Sequence, residues 1–175
     1  MTLRDVAGDR IRRQEPAKAQ HAIWAERAAM LRTDRLTGLS NSFGWDEAID
    51  EAMFAASRFG GPLIVARVEL DQHGEAVASA EPLVRFATRA RRVVRNADLF
   101  ARLDGDVLVV ALTRCPAALA PRVLERIRLS VADGESCSVG WVLWDREEPA
   151  DELVQRASDA LQLAKNRGGD QIFPA

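Results

Sequence analysis

Cysteine and histidine are scarce in this chain of 175 residues, which holds only Cys115, Cys137, His21 and His73. The two cysteines have no metal-ligand spacing, and two histidines add little, so a zinc site is not expected. Both cysteines read as free thiols of a reducing, cytoplasmic protein. No apolar run approaches the ~20 residues that cross a bilayer. The stretch "MTLRDVAGDRIRRQEPAKAQ" is charged and lacks an apolar h-region, so a secretory signal is not expected either. An excess of one charge is also missing. A net charge of −2 gives no bulk electrostatic reason to expect nucleic acid or an anionic membrane as partner. Internal repeats and low-complexity segments are absent.

What is present is ordinary for a globular domain: 47% hydrophobic and 29% charged residues, in a length that suits one domain with an appendage. Residues 15–32 read as a helix rich in alanine and charge. Ile23 with Met30, and Trp24 with Leu31, form a narrow apolar stripe suited to a short two-helix seam or to docking on the domain. "TDRLTGLSNS" breaks that helix. A second helix over 43–58 puts Trp45, Ile49, Met53 and Ala56 on one face and stops at Gly60-Gly61.

"PLIVARVELD" is a buried, β-branched strand, and "EPLVRFATRARRVVRN" an amphipathic helix with Pro82 in its first turn. A hairpin over 98–103 and 107–112 follows, its turn marked by Asp104-Gly105. A helix over 116–131, the strand "SCSVGWVLW", a helix over 149–166 and a short strand near Ile172 complete the order. Helices alternating with strands that include a hairpin imply a mixed sheet covered by helices.

A turn alone does not require a second carboxylate, Asp106, before five apolar residues. "RNADLFARLDGDVL" has the spacing R-x-x-D-x-x-x-R-x-G-G-D-E-F, and three other stretches join it in order: "DRLTGLSN", "VELDQH", and "SVGWVLW" followed by "RASDALQLAKNRGGDQI". Together they resemble the GGDEF domain, the diguanylate cyclase family. The resemblance runs from Asp34 to the C-terminus, leaving residues 1–33 as an N-terminal helical segment and 34–175 as the domain. It implies an α+β fold like the palm of nucleotide cyclases, a mixed, mostly antiparallel sheet surrounded by helices. Active members condense two GTP into cyclic di-GMP across two facing domains, using carboxylates that hold Mg²⁺ against the phosphates.

Carried over position by position, the family's two glycines fall on Asp104 and Gly105, its third position on Asp106, its Glu on Val107 and its Phe on Leu108. Asp104 sets a carboxylate where phosphate would meet bare backbone; at roughly 4 Å two like charges repel by ~1 kcal/mol in water, and several-fold more in a drier site. Val107 can neither ligate a metal nor accept a proton. The strand's metal-binding Asp corresponds to Glu69, with Asp71 at the second Asp. Glu69 and Asp106 stay open to two readings, a weak Mg²⁺ pair or solvated strand-end residues. After Asp71, "GEAVASAEPLV" lacks the Lys, the Asn and the Gly-Asp with which the family recognises guanine. Lys165 matches the phosphate-gripping Lys, but the following Arg position holds Gly169. Arg167 is either a substitute or a surface residue.

Arg95 and Asp98 match the R-x-x-D of the family's inhibitory site for cyclic di-GMP, and spacing puts its further Arg at Arg126. Guanidinium forks suit phosphate and the guanine Hoogsteen edge, and Asp98 can accept from guanine N–H groups. The plainer reading has Arg95 continue the Arg-rich face of Arg85, Arg89 and Arg92, with Asp98 capping a turn. "LTGLSN" is expected to bury Leu36 and Leu39 while Asn41 caps the second helix.

Three functions follow as expectations. The first is a catalytically inactive signalling module that binds cyclic di-GMP through Arg95, Asp98 and Arg126, needs no cofactor and acts on an unidentified protein partner. The second is a scaffold that binds no nucleotide and forms a homodimer through the N-terminal helix. The third is a weak cyclase or nucleotidase using Glu69 and Asp106.

Overall fold

The computed structural model describes residues 30–71 and 79–175. Most of the expected first helix, Ile23 and Trp24 included, lies outside them, and so does most of the segment after Asp71. Residues 30–32 are helical and lead through a turn into α1, Ser42–Phe59. Asn41 caps α1 by accepting from the Gly44 N–H at 3.0 Å, and Gly60, at φ 77, ends it.

The chain continues through β1 (Leu63–Leu70), α2 (Glu81–Arg91), β2 (Leu99–Asp104) and β3 (Val107–Thr113). A 3₁₀ turn at Ala117–Leu119 precedes α3 (Ala120–Arg128), then β4 (Cys137–Leu143), α4 (Ala150–Asn166) and β5 (Ile172–Pro174). One five-stranded sheet results, in the order β2-β3-β1-β4-β5. All pairs are antiparallel except β4 with β5. The mixed, mostly antiparallel sheet expected from the sequence is what forms. Among the described residues no helix is long and apolar enough to cross a membrane.

Period-two alternation splits the apolar residues between two faces. Ile64, Ala66, Val68, Leu108, Val110 and Val139 pack against Leu83, Phe86 and Ala90 of α2 and Leu124 and Ile127 of α3. Val65, Ala101, Val109, Ala111 and Val142 pack against Trp45 and Ile49 of α1 and Leu153 and Ala157 of α4. On this second face α4 lies directly on β4. A Cβ built at Gly140 would sit 1.9 Å from the Leu161 nitrogen and 2.5 Å from the Ala157 oxygen. Only hydrogen fits there.

Two local expectations are corrected. Leu36 does not pack under the sheet; it is 38% exposed on the turn, and Leu39 alone of the pair enters the core. Helix α2 ends at Arg91 rather than near Asn96. The Arg91 guanidinium binds the Val94 and Arg95 carbonyls, and the Asp98 carboxylate takes the Arg95 N–H, so side chains replace the next helical turn.

Candidate functional site

Strands β2 and β3 close on Gly105 and Asp106. Gly105 has φ 48, the left-handed value that glycine adopts without a Cβ penalty. Arg102 fastens this turn from below: Nε donates to the Gly105 carbonyl at 2.7 Å and Nη1 to Asp34 Oδ2 at 3.1 Å. Asp34 Oδ1 accepts from the Thr37 N–H at 2.9 Å and from its hydroxyl at 2.7 Å. "DRLTGL" and the 104–106 turn are therefore one unit, although 68 residues separate Asp34 from Arg102.

Burial pushes the Asp34 carboxyl up, but the Thr37 hydrogen bonds and the Arg102 charge outweigh it and hold the group below its ordinary range. A folded-state pKa below the unfolded one stabilises the fold above the ordinary carboxylate value of about 3.9 and ceases to do so as pH falls through the lower folded value. Thermal melts should therefore show wild type more stable than Asp34→Asn at neutral pH, with the gap closing below about pH 4. A gap of constant size down to pH ~3 would show that the carboxylate charge does not hold this junction.

At the end of β1, Glu69 stands directly opposite Val107 on β3 and Ser138 on β4. The position facing this carboxylate across the ladder is thus an isopropyl group. Glu69 Oε1 accepts from Lys165 Nζ at 2.7 Å, so the residue matching the phosphate-gripping Lys and the one matching the metal-binding carboxylate neutralise each other. Asp104 points outward, its side chain 79% exposed, with Arg67 Nη2 3.5 Å from Oδ1. Asp106 lies exposed on the turn. Among the described residues, no three His, Cys, Asp or Glu side chains gather into a group that could hold a metal ion.

Asp71 is engaged with the chain itself. Its carboxylate accepts from the Ser136 hydroxyl at 2.7 Å, the Ser138 hydroxyl at 2.6 Å and the Asp170 N–H at 2.9 Å. It also leaves little room at Gly169, whose Cβ would lie 3.2 Å from the carboxylate at a φ of 72. Arg167 lies 4.4 Å over the Phe173 ring, a cation–π contact rather than an open phosphate ligand.

The second candidate site begins where α2 ends. Arg95 is exposed, whereas Asp98 is only 7% exposed. Asp98 Oδ2 accepts from the Arg95 N–H at 3.2 Å and Oδ1 from the Thr113 N–H at 3.0 Å. The carboxylate thereby ties the Arg95 turn to the end of β3; Oδ1 also accepts from the Thr113 hydroxyl at 3.5 Å, which leaves one further lone pair, on Oδ2. Arg126 is exposed on α3. Arg85 binds Glu135 and Arg89 binds the Val131 carbonyl, so the end of α2 and the chain after α3 run in opposite senses. That direction leads the Arg95 turn toward the last turns of α3.

Arg67, Arg102, Ser136 and Ser138 were not assigned from the sequence. Arg67 carried a readable signal, a lone arginine inside the apolar run "PLIVARVEL". The serines carried none, since their partner is 65 or more residues away.

Residues 31–171 match the family model described as "Diguanylate cyclase, GGDEF domain". Diguanylate cyclase DgcP of Pseudomonas aeruginosa is 29% identical over 175 residues, covering 91% of this chain and 26% of that protein. Diguanylate cyclase DosC of Escherichia coli K12 is 28% identical over 156 residues, covering 79% of the chain and 34% of that protein. The chain thus spans about a quarter to a third of the length of these relatives. The coiled coil and GGDEF domain of DgcB from Caulobacter crescentus, solved in complex with c-di-GMP, superposes with a TM-score of 0.82 at 19% identity, covering 97% of this chain and 99% of that one. That is a likeness of fold. SiaD of Pseudomonas aeruginosa, solved with its activator SiaC, gives 0.77 at 25% identity, with 99% and 76% covered.

Proposed function

This chain belongs to the diguanylate cyclase GGDEF domain family, and on that premise we propose that it is a signalling module that binds cyclic di-GMP without making it. The observation that carries the loss of synthesis is the ladder pairing of Glu69 with Val107. A cyclase turn would bring a second carboxylate to that place. Here the opposing group is apolar, and Lys165 supplies the counter-charge to Glu69 instead. The donors present do not fit a resident pair of divalent ions: Glu69 is paired with Lys165, Val107 offers no donor, and Asp71 is committed to Ser136, Ser138 and the 170 backbone. A weak Mg²⁺ at Glu69 and Asp106 is the most this set supports.

Binding rests on Arg95 and Arg126, two exposed guanidinium groups that match the R-x-x-D site and its further arginine. Asp98 fixes the backbone that presents Arg95, and its Oδ2 keeps one lone pair for a guanine N–H. The likeness to DgcB with its bound c-di-GMP, and to SiaD with its activator, supports a domain that reads this nucleotide and passes the result to a protein partner. Isothermal titration with cyclic di-GMP tests the reading. Wild type should bind, and Arg95→Ala should weaken binding at least ~10-fold, the equivalent of one charge-assisted contact. Unchanged affinity in Arg95→Ala, or no heat in wild type, would remove it.

A further inference from the structure

The charges of this chain sum to −2 but are sorted between opposite faces. Helix α1 turns Asp46, Glu47, Asp50 and Glu51 to solvent, together with Phe43 and Phe54, which is 68% exposed. Only Glu47 among these acids has an ion-pair partner among the described residues, Arg32. Helices α2 and α3 and the turn after α2, on the other side of the sheet, expose Arg89, Arg92, Arg95, Arg122 and Arg126, with Leu129 beside them. Most acids of that side are already used: Glu81 and Glu135 pair with Arg85 and Glu125 pairs with Arg128, while Asp133 stays exposed on the loop after α3. Neither face meets its complement within the same molecule.

We propose that a second copy of this chain supplies it, the acidic, phenylalanine-bearing face of α1 docking on the arginine face of α2 and α3. Exposed aromatics and arginines are the side chains from which interface centres are built, and opposed charge fixes the orientation. Because the faces lie on opposite sides of the sheet, the contact is head-to-tail and does not close as a two-fold dimer. Association of this kind grows with concentration into open-ended chains. Arg92 and Arg122 lie outside the R-x-x-D site, whereas Arg95 and Arg126 belong to both surfaces, so cyclic di-GMP bound there should compete with the contact.

Sedimentation of the full chain tests it. At about 0.01 M salt, where screening reaches ~30 Å, the average mass should rise continuously with protein concentration, and at about 1 M it should fall to the monomer. Arg92→Glu with Arg122→Glu, and separately Asp50→Lys with Glu51→Lys, should each weaken association at least ~10-fold. Mixed together, the two variants should associate again, because the intact acidic face of one meets the intact arginine face of the other. All four substitutions are at exposed positions, three on helices and Arg92 just past the end of α2, and matched thermal melts confirm folding. Wild type that stays monomeric at low salt, a closed dimer indifferent to either variant, or a mixture that stays monomeric would overturn the proposal. Monomeric wild type that instead binds polyglutamate would overturn it too, and would assign the arginine face to an acidic partner.

Discussion

Gly140→Ala should leave the chain largely unfolded under conditions where wild type is native. The added Cβ would meet the Leu161 nitrogen at 1.9 Å and the Ala157 oxygen at 2.5 Å. These are backbone atoms of α4, so no rotamer change relieves them. The helix must lift from β4, which uncovers Leu153, Ala157 and Val142 on one face of the core. Overpacking ordinarily costs ~1–3 kcal/mol, but a clash with helix backbone that no rotamer relieves belongs with the exceptional losses above ~4 kcal/mol, a large share of the roughly 5–15 kcal/mol that holds a domain together. Gly105→Ala provides the contrast: nothing lies within 4 Å of its Cβ, and only φ 48 opposes it. That change should cost about 1–2 kcal/mol. Denaturant titrations of the two variants separate lack of space from lack of backbone freedom, and equal losses would refute the distinction.

Asp71→Ala should be the most damaging change among the carboxylates. Three donors from two separate stretches converge on Asp71, and Ser138 is fully buried. Removing the acceptor takes a hydrogen bond from the Ser136 hydroxyl, strands that of buried Ser138 and frees the 168–170 turn that leads into β5. Hydrogen bonds to a charged group contribute ~1.5–3 kcal/mol each and are not additive, so a total loss of about 3–5 kcal/mol is expected. Glu69→Gln breaks one ion pair with a partly exposed lysine and should cost about 1 kcal/mol or less. Thermal melts decide the order. If Glu69→Gln proved the more harmful, the β1 end would owe its stability to the Lys165 pair and not to Asp71.

The elements most legible in the sequence were those with a local cause. Trp45, Ile49 and Ala56 announce the buried stripe of α1, Asn41 its cap and Gly60 its end, and Asp104-Gly105 the hairpin. The end of α2 was not legible, because "RRVVRN" continues the helical pattern without a breaker. Arg91 and Asp98 stop it by binding backbone groups that a helix would have used. The same limit applies at the candidate sites. Val107 at the Glu position could be read directly, whereas the pairing of Glu69 with Lys165 spans 96 residues and appears only when α4 folds over β1. The burial of Asp98 likewise depends on Thr113, a residue with no motif to mark it.

We propose that the turn at 104–106 and the end of β1 no longer handle GTP. Incubating the full chain with GTP and Mg²⁺ and resolving the nucleotides by chromatography tests this most directly. GTP should remain unchanged, with no cyclic di-GMP formed over hours at a protein concentration near that of the substrate. Cyclic di-GMP that accumulates with wild type and disappears with Asp106→Ala would contradict it.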